Sequence, residues 1–338
     1  MKKFINAVAD AGLESLRGFA DAHGDIVTLN EEPLFVARRR RAPPGKVALL
    51  SGGGGGHEPL HCGFVGTGML DAACPGEIFT SPAPGQILAA AQAADSGGGT
   101  LFIVKNYPGD VMNFEMAMEA MSGHHRSVLV ADDVSGRRGP SSAALDEAVA
   151  EGCRGVAGTL VVEKIAGAAA EAGGDLDACH AVAQRVSART RSIGVALTSC
   201  TVPAVGRPTF ALGAAELEMG VGIHGEPGRQ RRRLDSADAI ARDMAQAVAQ
   251  GLDLSEGDRV LMLVNGFGGT PLMELWLMHD ALRRALVPWR IQVERRLVGN
   301  FVTSLDMAGC SLTLTVVDDE LLRLWDAPVH TPALRWCC

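Results

Sequence analysis

Apolar runs of strand length alternate with stretches of helical spacing through the first half of the chain. No other feature constrains the fold as much. "KVALLSGG", "GTLFIVKN" and "HRSVLVADD" are strand-like and end at glycine, asparagine or aspartate. "GQILAAAQAAD" and "VMNFEMAMEAMSG" lie between them and carry helix formers. Succession of this kind builds an α/β layer with a largely parallel sheet. Two alanine-rich helical stretches follow, "VVEKIAGAAAEAGG" and "LDACHAVAQRVSART". A second cycle then runs through "SIGVAL", "LEMGVGIH", "ADAIARDMAQAVAQ", "DRVLMLVNGFGG", "PLMELWLMHDALRRAL", "QVERRLVG", "SLTLTVV" and "DDELLRLWDAP". The expected architecture is two α/β domains, each with a central sheet flanked by helices. The boundary is placed in "AQRVSARTRS", giving domains 1–185 and 186–338.

Several function classes are disfavoured by composition. Aromatic residues make up only 4% of the 338 residues, too few for a platform that stacks single-stranded bases. A net charge of −8 argues against a nucleic-acid or anionic-membrane surface. The amino-terminal stretch has helically spaced charges and no uninterrupted apolar core, so it reads as a surface helix and not a signal peptide. No run of roughly eighteen apolar residues is present to span a bilayer. The eight cysteines form no C-x-x-C pair and no paired zinc spacing, so no metal site is expected and the thiols read as reduced core residues. Cys337 and Cys338 receive no role. The basic run "ARRRRAPPG" reads as a solvated turn because Pro-Pro-Gly follows at once. A cytoplasmic protein is expected.

Three glycine-rich or strand-end segments could carry chemistry. "LLSGGGGGHEP" runs a strand into Gly52–Gly56 and His57, which would let backbone N–H groups approach an anion or small polar ligand. It is no Walker loop, because His-Glu-Pro stands where Gly-Lys-Ser/Thr is required. A dehydrogenase fingerprint is matched only trivially, with no acidic residue in the expected strand context. "KNYPGD" places Asp110 just past a strand end, at the edge where parallel α/β sheets bind ligands. If the two strands are parallel, Lys105, Asp110 and His57 can converge on one pocket. Asp110 reads equally as the cap of the next helix. "IFTSPAPGQ" offers Ser81 at a strand end or, alternatively, in a Ser-Pro turn. "EMGVGIHGEPG" sets His224 among glycines, whose density suggests room for a close approach to the backbone.

Taken together, "KVALLSGGGGGHEPLHCGFVGTGMLDAACPGEIFTSP", "FIVKNYPGDVMNFEMA", "CRGVAGTLVVEKIAGAAAE", "ELEMGVGIHGEPG", "TSLDMAG" and "LWDAPVHTPAL" resemble the dihydroxyacetone kinase family. The resemblance is to its substrate-binding module and runs in order over nearly the whole chain. It implies that His224 adds to the ketone carbon of dihydroxyacetone as a hemiaminal. Asp110 would be the general base, His57 the residue that orients the ketose, and Gly54, Ser81 and Lys105 the pocket lining. Only neutral imidazole can add to a carbonyl, so binding should weaken as His224 protonates. Two departures stand near the site: Gly55 and Pro108 occupy positions where the family usually has serine and threonine. The turn after Asn265 also differs from the family's usual pattern.

The resemblance further implies a homodimer and a helical, nucleotide-binding partner subunit. ADP or ATP with Mg is expected on that partner and no cofactor in this chain, the donor being recharged from phosphoenolpyruvate or exchanged as ATP. Two alternatives remain: a non-catalytic ketose-binding co-activator of a transcription regulator, and a kinase for another short-chain ketose such as a tetrulose.

Overall fold

The computed structural model describes residues 2–136, 153–226 and 228–337. The chain divides into two compact units: residues 1–130, 160–185 and 321–338 form one, and 131–159 with 186–320 the other. The chain switches between them after Arg185. The chain also switches after Val130, Thr159 and Glu320, so each unit is discontinuous.

The first unit is built on six strands: β1 (Val27–Glu31), β2 (Leu34–Arg38), β3 (Ala48–Gly55), β4 (Ala72–Ile78), β5 (Thr100–Lys105) and β6 (His125–Val130). Their order is β1-β2-β4-β3-β5-β6. β3 pairs in parallel with both β4 and β5, and β5 with β6. The β1–β2 hairpin joins antiparallel at the β4 edge. β5 is buried at every position, as the continuous apolar run requires of a strand covered on both faces. Helices α2 (Pro84–Ala94) and α3 (Pro108–Glu119) pack Ile87, Ala90, Ala91, Phe114 and Ala117 against Leu50, Ala72 and Phe102. Burying a leucine or phenylalanine here contributes about 1.5–3 kcal/mol. α1 is Ala11–Ala22, and α4 (Gly158–Glu171) lies mostly in this unit. At Gly167 of α4 an added Cβ would press on the backbone of Gly68 and Met69 at 2.5–2.8 Å, so glycine permits that close approach.

α5 (Leu176–Ala188) carries the chain across the Arg185 switch. The second unit contains β7 (Thr190–Ala196), β8 (Glu216–Met219), β9 (Gln230–Arg233), β10 (Arg259–Gly266), β11 (Gln292–Gly299) and β12 (Gly309–Val316). The order is β11-β10-β12-β7-β8-β9, and only β10 and β11 are parallel. Helices α6 (Ala237–Leu252) and α7 (Leu272–Leu286) close its core through Met244, Val248, Leu275 and Leu282. Ser236 caps α6 by accepting from the Ala239 amide at 3.3 Å. Buried Asp132 accepts from the amides of Val156 and Gly158, each at 2.7 Å, and from Ser192 Oγ at 2.5 Å. α8 (Asp319–Asp326) leads back to the first unit. No helix among the described residues is long and apolar enough to cross a membrane. Cys62, Cys74, Cys179, Cys200 and Cys310 are buried, and burial pushes the Cys74 thiol up to about 12.

Candidate functional site

The ends of β3 and β5 lie at one edge, because the strands are parallel with Ala48 opposite Thr100 and Ser51 opposite Ile103. The glycines are not a free anion-binding loop. Gly52–Gly55 complete β3 and pair with β4, and the Gly56 amide is taken by the Glu58 carboxylate at 3.0 and 3.1 Å. Small residues are needed here for contacts within the protein. A Cβ at Gly52 would lie 2.6 Å from the Cys74 carbonyl oxygen, and one at Gly54 would lie 2.6–2.8 Å from Phe79 and Thr80 backbone. At Gly53 it would displace the Lys105 ammonium. Phe79 itself sits at φ +56°, a strained setting for a bulky side chain. Its ring stacks on buried His57 at 4.9 Å and 15°.

Lys105 ends β5 and is 1% exposed. Its Nζ donates to the Gly52 carbonyl and to His61 Nε2, both at 2.9 Å, and pairs with Asp110 Oδ2 at 3.1 Å. Asp110 is not the helix cap. α3 begins at Pro108, with Tyr107 in the extended cap position, so Asp110 is its third residue and turns its carboxylate to Lys105. Ser81 stands against the same helix start: a Cβ on Gly109 would lie 2.7 Å from Ser81 Oγ. Asn113 Nδ2 ties that helix to the Pro82 carbonyl at 2.9 Å. Gly54, His57, Ser81, Lys105 and Asp110 therefore belong to one unit and one set of connected segments.

Two residues that sequence reasoning passed over complete this cluster. His61 Nδ1 lies 2.6 Å from Glu163 Oε1 of α4. Burial, with Lys105 and His57 adding repulsion, holds the His61 pKa well below the ordinary histidine value. Burial pushes the Glu163 carboxyl up to about 8, although Lys105 and Ser51 work against it. His61 had a faint signal as the second histidine of "HEPLH". Glu163 had one as an acid within the apolar run "LVVEKIAG".

His224 lies in the second unit, in the turn after β8, with its side chain 21% exposed. Its amide donates to Glu226 Oε2 at 2.9 Å, and Nδ1 stands 3.0 Å from Glu226 Oε1. Burial works to raise the Glu226 pKa. The His224 hydrogen bond and charge, together with Arg154, outweigh it and bring the carboxyl down to about 2. Arg154 is fastened to Asp133 Oδ2 at 2.8 Å, Ser135 Oγ at 2.5 Å and the Gly220 carbonyl at 2.8 Å. The glycines of this turn clear room for protein atoms. A Cβ on Gly222 would strike Glu226 and Arg154, one on Gly225 (φ +74°) would strike Thr209, and one on Gly220 (φ +81°) would lie 2.8–3.0 Å from Arg229 and Ser135. Glu226 was legible two residues after the histidine, but Arg154 had no local signal.

A family model described as the Dak1 domain matches residues 17–333. The chain belongs to the Dak1 family. This Dak1 chain is 47% identical over 362 aligned residues to the dihydroxyacetone-binding subunit DhaK of the PEP-dependent dihydroxyacetone kinase of Escherichia coli, covering 99% of both. It is 40% identical to the L-erythrulose 1-kinase of Mycolicibacterium smegmatis, over 99% of this chain and 58% of that enzyme. Among solved structures, the dihydroxyacetone kinase operon co-activator DhaQ is similar at a TM-score of 0.85 and 32% identity, covering 95% of this Dak1 chain and 97% of its own.

Proposed function

We propose that the chain is the dihydroxyacetone-binding subunit of a kinase whose phosphoryl donor is held by a partner subunit. The observation that carries the chemistry is the 3.0 Å approach of His224 Nδ1 to the Glu226 carboxylate. A neutral imidazole that donates its Nδ1 proton there bears its lone pair on Nε2. That pair forms a C–N bond to the ketone carbon while the C=O π bond opens; the Nδ1 proton passes to the Glu226 carboxylate and on to solvent, and the carbonyl oxygen takes a proton from solvent to become a hydroxyl. Glycerol, with no carbonyl, is rejected. Asp110 then takes the proton of the terminal hydroxyl as that oxygen bonds to phosphorus and the phosphorus–oxygen bond to the partner-held donor breaks, its electron pair leaving with the donor, and His57 orients the ketose. Gly54, Ser81 and Lys105 serve as the pocket lining, Lys105 through its pair with Asp110. Positioning and charge placement supply most of such a step. The full-length similarity to a dihydroxyacetone-binding subunit supports this reading. ADP or ATP and Mg belong to the partner in this scheme, the chain acts in the cytoplasm, and it pairs with a second copy of itself.

Native mass spectrometry with dihydroxyacetone should show the mass of one intact ketose with no water lost, and none in His224→Ala. The same adduct in that variant overturns the assignment. Asp110→Asn should keep the adduct and lose about 10²–10⁴ of turnover when the partner and donor are supplied. The similarity to a co-activator favours a second reading, binding without turnover. An adduct with no phosphorylation by the wild-type chain would select it. Faster turnover of a tetrulose than of dihydroxyacetone would instead change the physiological substrate.

A further inference from the structure

We propose that Glu163 and His61 are positioning residues that aim Asp110 through Lys105. The idea rests on the reading of Asp110 as the base. An ammonium has three N–H donors, and Lys105 meets three acceptors: the Gly52 carbonyl at 2.9 Å, His61 Nε2 at 2.9 Å and Asp110 Oδ2 at 3.1 Å. The tripod closes only while His61 Nε2 carries no proton. The neutral ring then bears its proton on Nδ1, and Glu163 Oε1 stands 2.6 Å away to accept it. The opposite tautomer would set N–H against ammonium and push Lys105 out of a slot that only glycine at position 53 leaves open.

Burying a carboxyl group is costly unless a partner needs it. Glu163 is fully buried, and its Oε2 has no hydrogen-bond partner among the described residues. Among the described residues, the titratable and charged groups facing the pair are Lys105 and Cys62 and, on the His61 side, His57. Ser51 lies close, its hydroxyl given to the Ile103 carbonyl at 2.7 Å. Glu163 thus selects the tautomer of His61, His61 completes the tripod, and the tripod fixes the carboxylate. A chain of four residues runs from α4 to the start of α3.

Histidine-labelled ¹⁵N NMR of the full chain, with His61 assigned by its loss in His61→Asn, reads the tautomer without substrate or partner. Nδ1–H is expected in the wild type and a mixture in Glu163→Leu. In the phosphorylation assay Glu163→Leu should lower kcat about 10- to 100-fold with KM unchanged, the size of effect a misplaced catalytic group produces. Glu163→Gln, whose amide oxygen accepts the same proton, should restore most of it. A proton on His61 Nε2 in the wild type overturns the proposal, as does wild-type kcat in Glu163→Leu or an equal loss in Glu163→Gln. Should the leucine variant not fold, the wild-type spectrum and the glutamine variant still decide. Asp110→Asn in the same assay separates the two readings: full turnover there removes the base, whereas the His61 spectrum tests the tripod alone.

Discussion

The surroundings of Asp110 and those of His224 solve opposite problems. Around Asp110 the exposures are 4% for Asp110, 1% for Lys105, 4% for His61 and none for Glu163. Around His224 they are 21% for the histidine and 30% for Glu226. Charges taken fully out of water survive only with every donor and acceptor matched, which is what the Lys105 tripod provides. The His224 ring stays partly exposed beside the Glu226 carboxylate, and Arg154 Nη1 stands 3.9 Å from that carboxylate. Asp110 is held by burial, and the His224 ring by its contact with the Glu226 carboxylate. Mutations in the two regions should therefore differ in kind.

The sharpest way to break this contrast is Lys105→Met. It strands the Asp110 carboxylate without its cation and should cost about 3–5 kcal/mol in urea unfolding. A loss no larger than that of Glu226→Gln would show that burial is not what distinguishes the two regions. Gly54→Ala should cost about 1–3 kcal/mol, because the new Cβ meets Phe79 and Thr80 backbone that cannot withdraw.

In the proposed arrangement the Glu163 proton sits on Oε2 while Oε1 accepts from His61, and that proton supplies a pH test. Its folded pKa is raised from 4.5 to about 8, so the folded state keeps a proton that the unfolded chain has lost. The stability this contributes is present at low pH and is lost as pH rises through 8. His61, lowered from 6.5, acts oppositely below that value, which leaves pH 6.5–8 as the clear window. There the wild type should lose at most about 1.4 kcal/mol per pH unit relative to Glu163→Gln. Parallel curves for the two would refute it.

Glu226→Gln should cost about 0.5–1.5 kcal/mol and lower the adduct population a few-fold by native mass spectrometry. It should also remove the acid-dependent loss of stability that the wild type shows as pH falls from 4.5 towards 2. The smallest effect belongs to Gly55→Ser, within about 0.5 kcal/mol by thermal melting, because a Cβ there stands 3.4 Å from the Gly76 carbonyl oxygen and 3.7 Å from Glu58.

Much of this was legible in the chain itself. Continuous apolar runs such as "TLFIVK" demanded buried parallel strands, helix formers filled the gaps, and motif order over the whole length pointed to the family. Hydrophobic period and turn chemistry are local properties, so they survive in one dimension. The β1–β2 hairpin, whose strands are only five residues long, and the short β9 "QRRR", which has no apolar period, were not legible in the sequence. Only the tertiary structure showed that the Gly52–Gly55 segment is strand and not loop, that Asp110 faces Lys105 and does not cap α3, and that the glycines around His224 make room for Arg154, Glu226 and Thr209. Those outcomes depend on partners a hundred residues away in some cases, as Glu163 is from His61. The energy of a buried polar group is set by its neighbours in space, whatever its own identity. The sequence determined which ionisable side chains stand at these positions, and the fold decided which way each of them points.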